Sequence, residues 1–171
     1  TIKQLLEGIS YLHKNGVIHR DIKAENVLCF GSKASNKVKL CDFGFAGHLE
    51  LIKKEFLKAG NNDTFGTLHY MAPEIIRGEM YTYGSDIWSL GILTYSLLSG
   101  YFPFDGSSDE NVELRIRNSE FRFHKKYWAE ISFEAKHFIC CMLNKDTHLR
   151  WSAHQLLEHD WIREYAMHVS L

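Results

Sequence analysis

Near the start of the chain, Ile2, Leu5, Leu6, Ile9 and Leu12 recur at i, i+3, i+4, i+7 and i+10. That spacing predicts one helix with a single apolar stripe, stopped by Asn15-Gly16. Val27-Leu28-Cys29-Phe30 and Val38-Lys39-Leu40-Cys41 are short β-prone runs, and the polar Gly31–Lys37 stretch between them makes the pair a hairpin. Its two ends then bring Asn26 and Asp42 to one edge. From His48 to Asp63 charges are dense and no clear period shows, so a loop is expected. Pro73 to Arg77 predicts a short helix ended by Gly78. Asp86 to Ser99 is apolar on every face and closed by Gly100, the pattern of a central helix. A surface helix is expected over 110–118. A further helix is capped by Ser132, with Ala135, Phe138, Ile139, Met142 and Leu143 on one face, and a last one opens with the Ser152/Gln155 capping box.

Composition narrows the class. The 171 residues suffice for one domain with a sizeable core, and 45% apolar with 24% charged residues is ordinary for a globular protein. A net charge of -1 gives no reason to expect nucleic-acid or membrane-surface binding. The most apolar run, from Ile87 to Leu98, is too short to cross a bilayer. Cys29, Cys41, Cys140 and Cys141 show no C-x-x-C spacing and read as buried, reduced thiols of an intracellular, cytoplasmic protein. The ten histidines are scattered, and His154 and His159 are not at i, i+4, so a zinc site is not expected. Thr1-Ile2-Lys3-Gln4 reads as the inside of a helix, so the chain is expected to be a piece of a longer protein.

The densest chemistry lies in His19-Arg20-Asp21-Ile22-Lys23-Ala24-Glu25-Asn26 and in Asp42-Phe43-Gly44. An acid, a lysine, an amide and a second acid are what chemistry on a magnesium-held phosphate requires: a carboxylate for the attacking hydroxyl, a cation for phosphate charge, and oxygens for the metal. Met71-Ala72-Pro73-Glu74 follows in the same order as in protein kinases. Over essentially its whole length, 1–171, the chain resembles the C-terminal lobe of a eukaryotic-type Ser/Thr protein kinase. The segment 100–106, the closing His159-Asp160-Trp161-Ile162, and Asp146 with Arg150 make it most similar to the calcium/calmodulin-dependent and calcium-dependent kinases.

The resemblance implies an α+β, mainly α-helical fold with a small β-hairpin, the N-terminal lobe being absent. It implies transfer of the ATP γ-phosphate to serine or threonine hydroxyls of protein substrates. Asp21 would orient the hydroxyl and take its proton, and Lys23 would face the transferring phosphate. Asn26 and Asp42 would hold Mg2+, and Leu28 would lie under the adenine of ATP. His19, Phe43 and Asp86 correspond to the internal scaffold of the catalytic loop, and Glu74 with Arg150 to a partly buried ion pair. Thr67 corresponds to a hydroxyl contacting Asp21 and Lys23, and Glu25 to a position favouring basic substrates, or simply to an exposed acid.

In kinases with an arginine before the catalytic aspartate, here Arg20, a phosphothreonine often binds it; the matching position here is Asp63. Either Asp63 supplies a permanent carboxylate to Arg20 or it is an ordinary loop residue, with Thr64 the nearest alternative acceptor. The glycine-rich loop and strand lysine of the smaller lobe do not occur in the chain, so this chain alone is expected to be nearly inactive and to self-associate through the uncovered face. A catalytically dead lobe serving as a scaffold or docking module is the rival reading. No EF-hand loop is present, so any calcium sensor lies outside the sequence.

Overall fold

The computed structural model describes residues 1–31, 37–60, 65–118 and 120–163. Helix α1 (Ile2–Lys14) buries Leu5, Leu6 and Ile9, the middle of the predicted stripe. A two-residue strand β1 (Val17–Ile18) follows. β2 (Val27–Phe30) and β3 (Lys37–Leu40) form the expected antiparallel hairpin, with Val27 opposite Leu40 and Phe30 opposite Lys37. α1 packs on β3 and on the last helix, so the hairpin is fastened to the helical body from one side.

The stretch expected to be a loop is largely not one. β4 (Gly47–His48) pairs antiparallel with β1, and helix α2 (Leu49–Ala59) begins directly after it. Leu49, Ile52 and Phe56 lie at i, i+3 and i+7 and turn one narrow face inward, with Ile52 fully covered. The five charged residues on the other faces masked that period. Gly60 closes α2 in a left-handed conformation, φ 73°.

Helix α3 (Pro73–Ile76) is short and carries proline in its first turn. Helix α4 (Tyr83–Ser99) starts three residues earlier than the apolar run suggests, because Thr82 and Ser85 form a reciprocal capping box. Ile87, Trp88, Leu90, Ile92, Leu93 and Tyr95 of α4 are all covered, which makes it the core of the molecule. Around it stand α5 (Asp109–Asn118), α6 (Lys125–Trp128), α7 (Phe133–Met142) and α8 (Ala153–Leu157). Ser132 and Ser152 cap α7 and α8 as predicted. α6 has no strong sequence signal; Trp128 anchors it, donating its indole N–H to the Tyr101 hydroxyl at 3.0 Å. At Gly91 a Cβ would lie 2.7 Å from Leu143 Cδ2 and 2.9 Å from Met142 Cβ, so glycine permits the close approach of α4 to α7.

The expectation that the cysteines are buried fails for most of them. Cys29 and Cys140 are exposed, Cys41 is half-buried, and only Cys141 is buried. Cys29 lies on an exposed stretch of the hairpin and Cys140 on the outward side of α7. Among the described residues, no helix is long and apolar enough to cross a membrane.

Candidate active site

Asp86, near the start of α4, is the point from which the site is built. It is buried, and its carboxylate accepts three hydrogen bonds: from the His19 N–H at 2.9 Å, from the Arg20 N–H at 2.9 Å, and from His13 Nε2 at 2.9 Å. Two backbone donors on one carboxylate bend the chain sharply, and Arg20 takes the left-handed conformation with φ 68°. That conformation costs a non-glycine residue roughly 1–2 kcal/mol, which the charge-assisted bonds offset. The fully buried His19 ring fastens the other side. Its Nδ1 accepts the Asp21 N–H at 3.3 Å, and its Nε2 bonds the Cys41 carbonyl at 3.2 Å, so the ring carries its proton on Nε2.

Asp21 is thereby held almost entirely out of solvent. Its Oδ2 accepts the Lys23 ammonium at 2.8 Å and the Asn26 side-chain amide at 3.0 Å. Asn26 also donates to the Asp21 carbonyl at 2.8 Å, so both of its amide hydrogens are used inside the loop. A 3-10 turn over Ala24–Asn26 provides the curvature that returns Asn26 to Asp21. Lys23 donates to the Thr67 hydroxyl at 3.2 Å, which ties this loop to the segment ahead of α3. The hydrogen bond to Asp21, ahead of the opposing effect of burial, holds the Lys23 ammonium above its usual pKa.

The hairpin sets the remaining member. The Cys41 N–H donates to the Asn26 carbonyl at 2.9 Å, so Asn26 and Asp42 stand at the same open end of β2 and β3. Asp42 has φ 60°, and its Oδ1 accepts the Gly44 N–H at 3.1 Å. Asp42 is near enough to add to the field that favours charged Lys23. The chemistry at this edge suits a hard cation: the Asn26 side-chain amide and the Asp42 carboxylate both offer oxygen atoms there.

Other predicted residues are distributed as follows. Glu74 and Arg150 meet in the interior, fully rather than partly buried. Phe43 packs edge-on against His19 at 4.9 Å between centroids but is 49% exposed, so it covers the scaffold from outside instead of lying within it. Leu28 is also 49% exposed, on the hairpin, and Glu25 is exposed. Asp63 and Thr64 lie outside the described residues.

Sequence reasoning missed the residues that lock residues 65–67 onto the loop. The Tyr81 hydroxyl accepts the Phe65 N–H at 2.8 Å and donates to the Phe65 carbonyl at 2.7 Å. The Arg20 guanidinium lies 4.7 Å from the Phe65 ring centre and 5.5 Å from that of Tyr81. Gly66 adopts φ 102°, and a Cβ there would lie 3.1 Å from the Arg20 carbonyl. The glycine was visible in the sequence; its reason, a close pass over the Asp21 loop, was not.

Comparison with known proteins establishes the family. The protein kinase domain model matches residues 1–162, and the chain belongs to that family. It is 40% identical over 163 residues to calcium-dependent protein kinase 4 of Plasmodium berghei (strain Anka), covering 95% of this chain and 30% of that protein. It is 40% identical over 162 residues to calcium/calmodulin-dependent protein kinase type 1 of Caenorhabditis briggsae, covering 94% of this chain and 43% of the relative. Calcium-dependent protein kinase 5 of Plasmodium berghei (strain Anka) is 35% identical over 164 residues, 96% of this chain and 28% of that protein. The chain thus spans well under half the length of these relatives.

Proposed function

We propose that the protein to which this chain belongs transfers the ATP γ-phosphate to serine or threonine hydroxyls of protein substrates. The observation that carries the reading is the cluster in which Lys23, at the rim, and buried Asn26 both donate to buried Asp21, with Asp42 at the same hairpin edge. ATP held with Mg2+ supplies the transferable phosphoryl group and neutralises charge between its terminal phosphates. Asn26 and Asp42 are the residues that hold the metal through oxygen. Asp21 orients the substrate hydroxyl and takes its proton as the oxygen attacks phosphorus. Lys23, kept charged by Asp21, balances the negative charge that spreads over the transferring group. Thr67, hydrogen-bonded to Lys23, borders the place where the hydroxyl docks, and Leu28 offers an apolar face to adenine. Glu25, exposed beside the loop, favours substrates with basic residues. A scaffold needs none of these polar contacts.

Leu28 and Phe30 project from one face of β2 and are exposed. This face receives the smaller lobe in the intact protein, and a chain lacking that lobe self-associates through it. Asp63, a carboxylate at the position that matches the phosphothreonine of related kinases, removes the need for an activating kinase; Thr64 is the rival acceptor.

The reading is tested by mass-spectrometric detection of phosphate transfer from ATP to matched peptides carrying serine, threonine or tyrosine, using the intact protein. Transfer to serine and threonine but not tyrosine is expected. Transfer to none of them, with the protein folded, supports the scaffold reading. Activity that survives phosphatase treatment favours Asp63, and activity abolished by it favours Thr64.

A further inference from the structure

On the side of the molecule formed by α7 and the chain after α8, His137, Cys141 and His159 converge. His137 Nδ1 and His159 Nε2 are 2.9 Å apart, and the Cys141 sulfur is 3.8 Å from His137 Nδ1. The three potential ligand atoms all lie within 4.8 Å of one another. We propose that these three residues bind a soft divalent metal ion, zinc above others, through His137 Nδ1, Cys141 Sγ and His159 Nε2.

The residue types and distances carry the proposal. Two imidazoles and a thiolate suit zinc, and tetrahedral bonds of roughly 2.0–2.1 Å to nitrogen and 2.3 Å to sulfur place such ligands about 3.3–3.6 Å apart. The 2.9 Å and 3.8 Å spacings stand on either side of that range and the Cys141–His159 separation is within 4.8 Å, so ligation asks for side-chain shifts of up to about an ångström. His137 and Cys141 stand at i, i+4 on α7 and so share one face of the helix. This pair, and not His154 with His159, is the spacing that matters. The site opens onto a groove lined by Glu134, His137, His154, Glu158 and His159, which provides an entry path. Glu134 lies one turn before His137 on α7 and lines the same groove, so it or a water completes four ligands.

The proton balance is defined. The Trp161 N–H donates to His159 Nδ1 at 3.1 Å, so His159 carries its proton on Nε2 and donates it to His137 Nδ1. The entering ion takes the place of that shared proton, which moves to His159 Nδ1. The Cys141 proton goes to solvent, since a coordinating thiol is deprotonated. The hydrogen bond from the Trp161 amide to His159 Nδ1 is then broken. Metal binding therefore disturbs the turn at Trp161, and the indole beside it reports the event.

The test is a Co2+ titration of the intact, chelator-stripped protein without nucleotide, with excess Mg2+ to occupy hard oxygen sites. A thiolate-to-cobalt charge-transfer absorption is expected, saturating at one ion per chain, reversed by Zn2+ and accompanied by a change in tryptophan fluorescence. Cys141→Ser should abolish the absorption. His137→Gln, on an exposed side chain whose change leaves the core intact, should weaken cobalt binding at least tenfold. The proposal is overturned if wild-type protein gives no charge-transfer absorption. It is equally overturned if the absorption persists in Cys141→Ser, or if His137→Gln binds cobalt as wild type does.

Discussion

Arg150 and Glu74, 76 positions apart, face each other as a two-pronged pair, Nη1 to Oε1 at 2.6 Å and Nη2 to Oε2 at 2.9 Å. Both are buried, at 6% and 1% exposure. Further bonds surround the pair: Nη1 also reaches the Gly84 carbonyl at 2.9 Å, Nε reaches the Asn144 carbonyl at 2.9 Å, and Ser85 donates to Glu74 at 3.2 Å. The pair joins α3, the start of α4 and the chain before α8.

Arg150→Ala leaves the Glu74 carboxylate buried without its cation. Loss of one partner of such a pair costs about 3–5 kcal/mol. Denaturant unfolding should show that loss, whereas replacing both residues by apolar ones of similar volume should cost markedly less. An unchanged thermal midpoint in Arg150→Ala would remove the pair from the account of stability.

Asp86→Asn puts an amide where two backbone N–H groups and His13 now find oxygen. One donor must then face another, at about 1–3 kcal/mol. Because the same bonds hold Arg20 in its left-handed conformation, the Asp21 loop should lose order with them. Faster hydrogen exchange at residues 19–21 is the expected sign.

Lys23→Met removes a side chain at the rim of the loop, leaving the rest of the core in place. Loss of a preorganised cation at the transferring group should lower kcat by roughly 10²–10³. The pH dependence has a definite sign. The folded-state pKa of Lys23 lies above its usual 10.5, so its stabilising contact with Asp21 is fully present below that value. The contact is lost only as pH rises through the higher folded value. A wild-type rate loss near neutral pH that vanishes in Lys23→Met would contradict this assignment.

Much of this was legible beforehand, and unevenly. α1, the hairpin, α7 and α8 declare themselves by period or cap. α2 did not, because only three of its eleven residues, Leu49, Ile52 and Phe56, turn inward among dense charge. The motif residues Asp21, Lys23 and Asn26 were legible as a string, but the bond from Asn26 back to Asp21 belongs to a 3-10 turn that no periodicity announces. Tyr81 was missed because its role is a hydroxyl bonding to a backbone 16 positions away. The convergence of His137 with His159 was missed for the same reason: helix packing creates it, across 22 positions.

Gly91→Ala places a Cβ into Leu143 and Met142. Overpacking at such a contact costs about 1–3 kcal/mol. Gly8→Ala, on open helix surface where no atom lies within 4 Å of the added Cβ, should instead be neutral or slightly stabilising. Thermal melts of the two variants separate helix contact from helix propensity.

The most direct measurement is single-turnover phosphate transfer by the intact protein, wild type against Asp21→Asn, with ATP affinity and melting temperature followed in parallel. A fall of about 10²–10⁴ in rate, with affinity and stability nearly unchanged, is the result predicted for a residue that handles the substrate proton. A rate equal to wild type in Asp21→Asn would contradict the account.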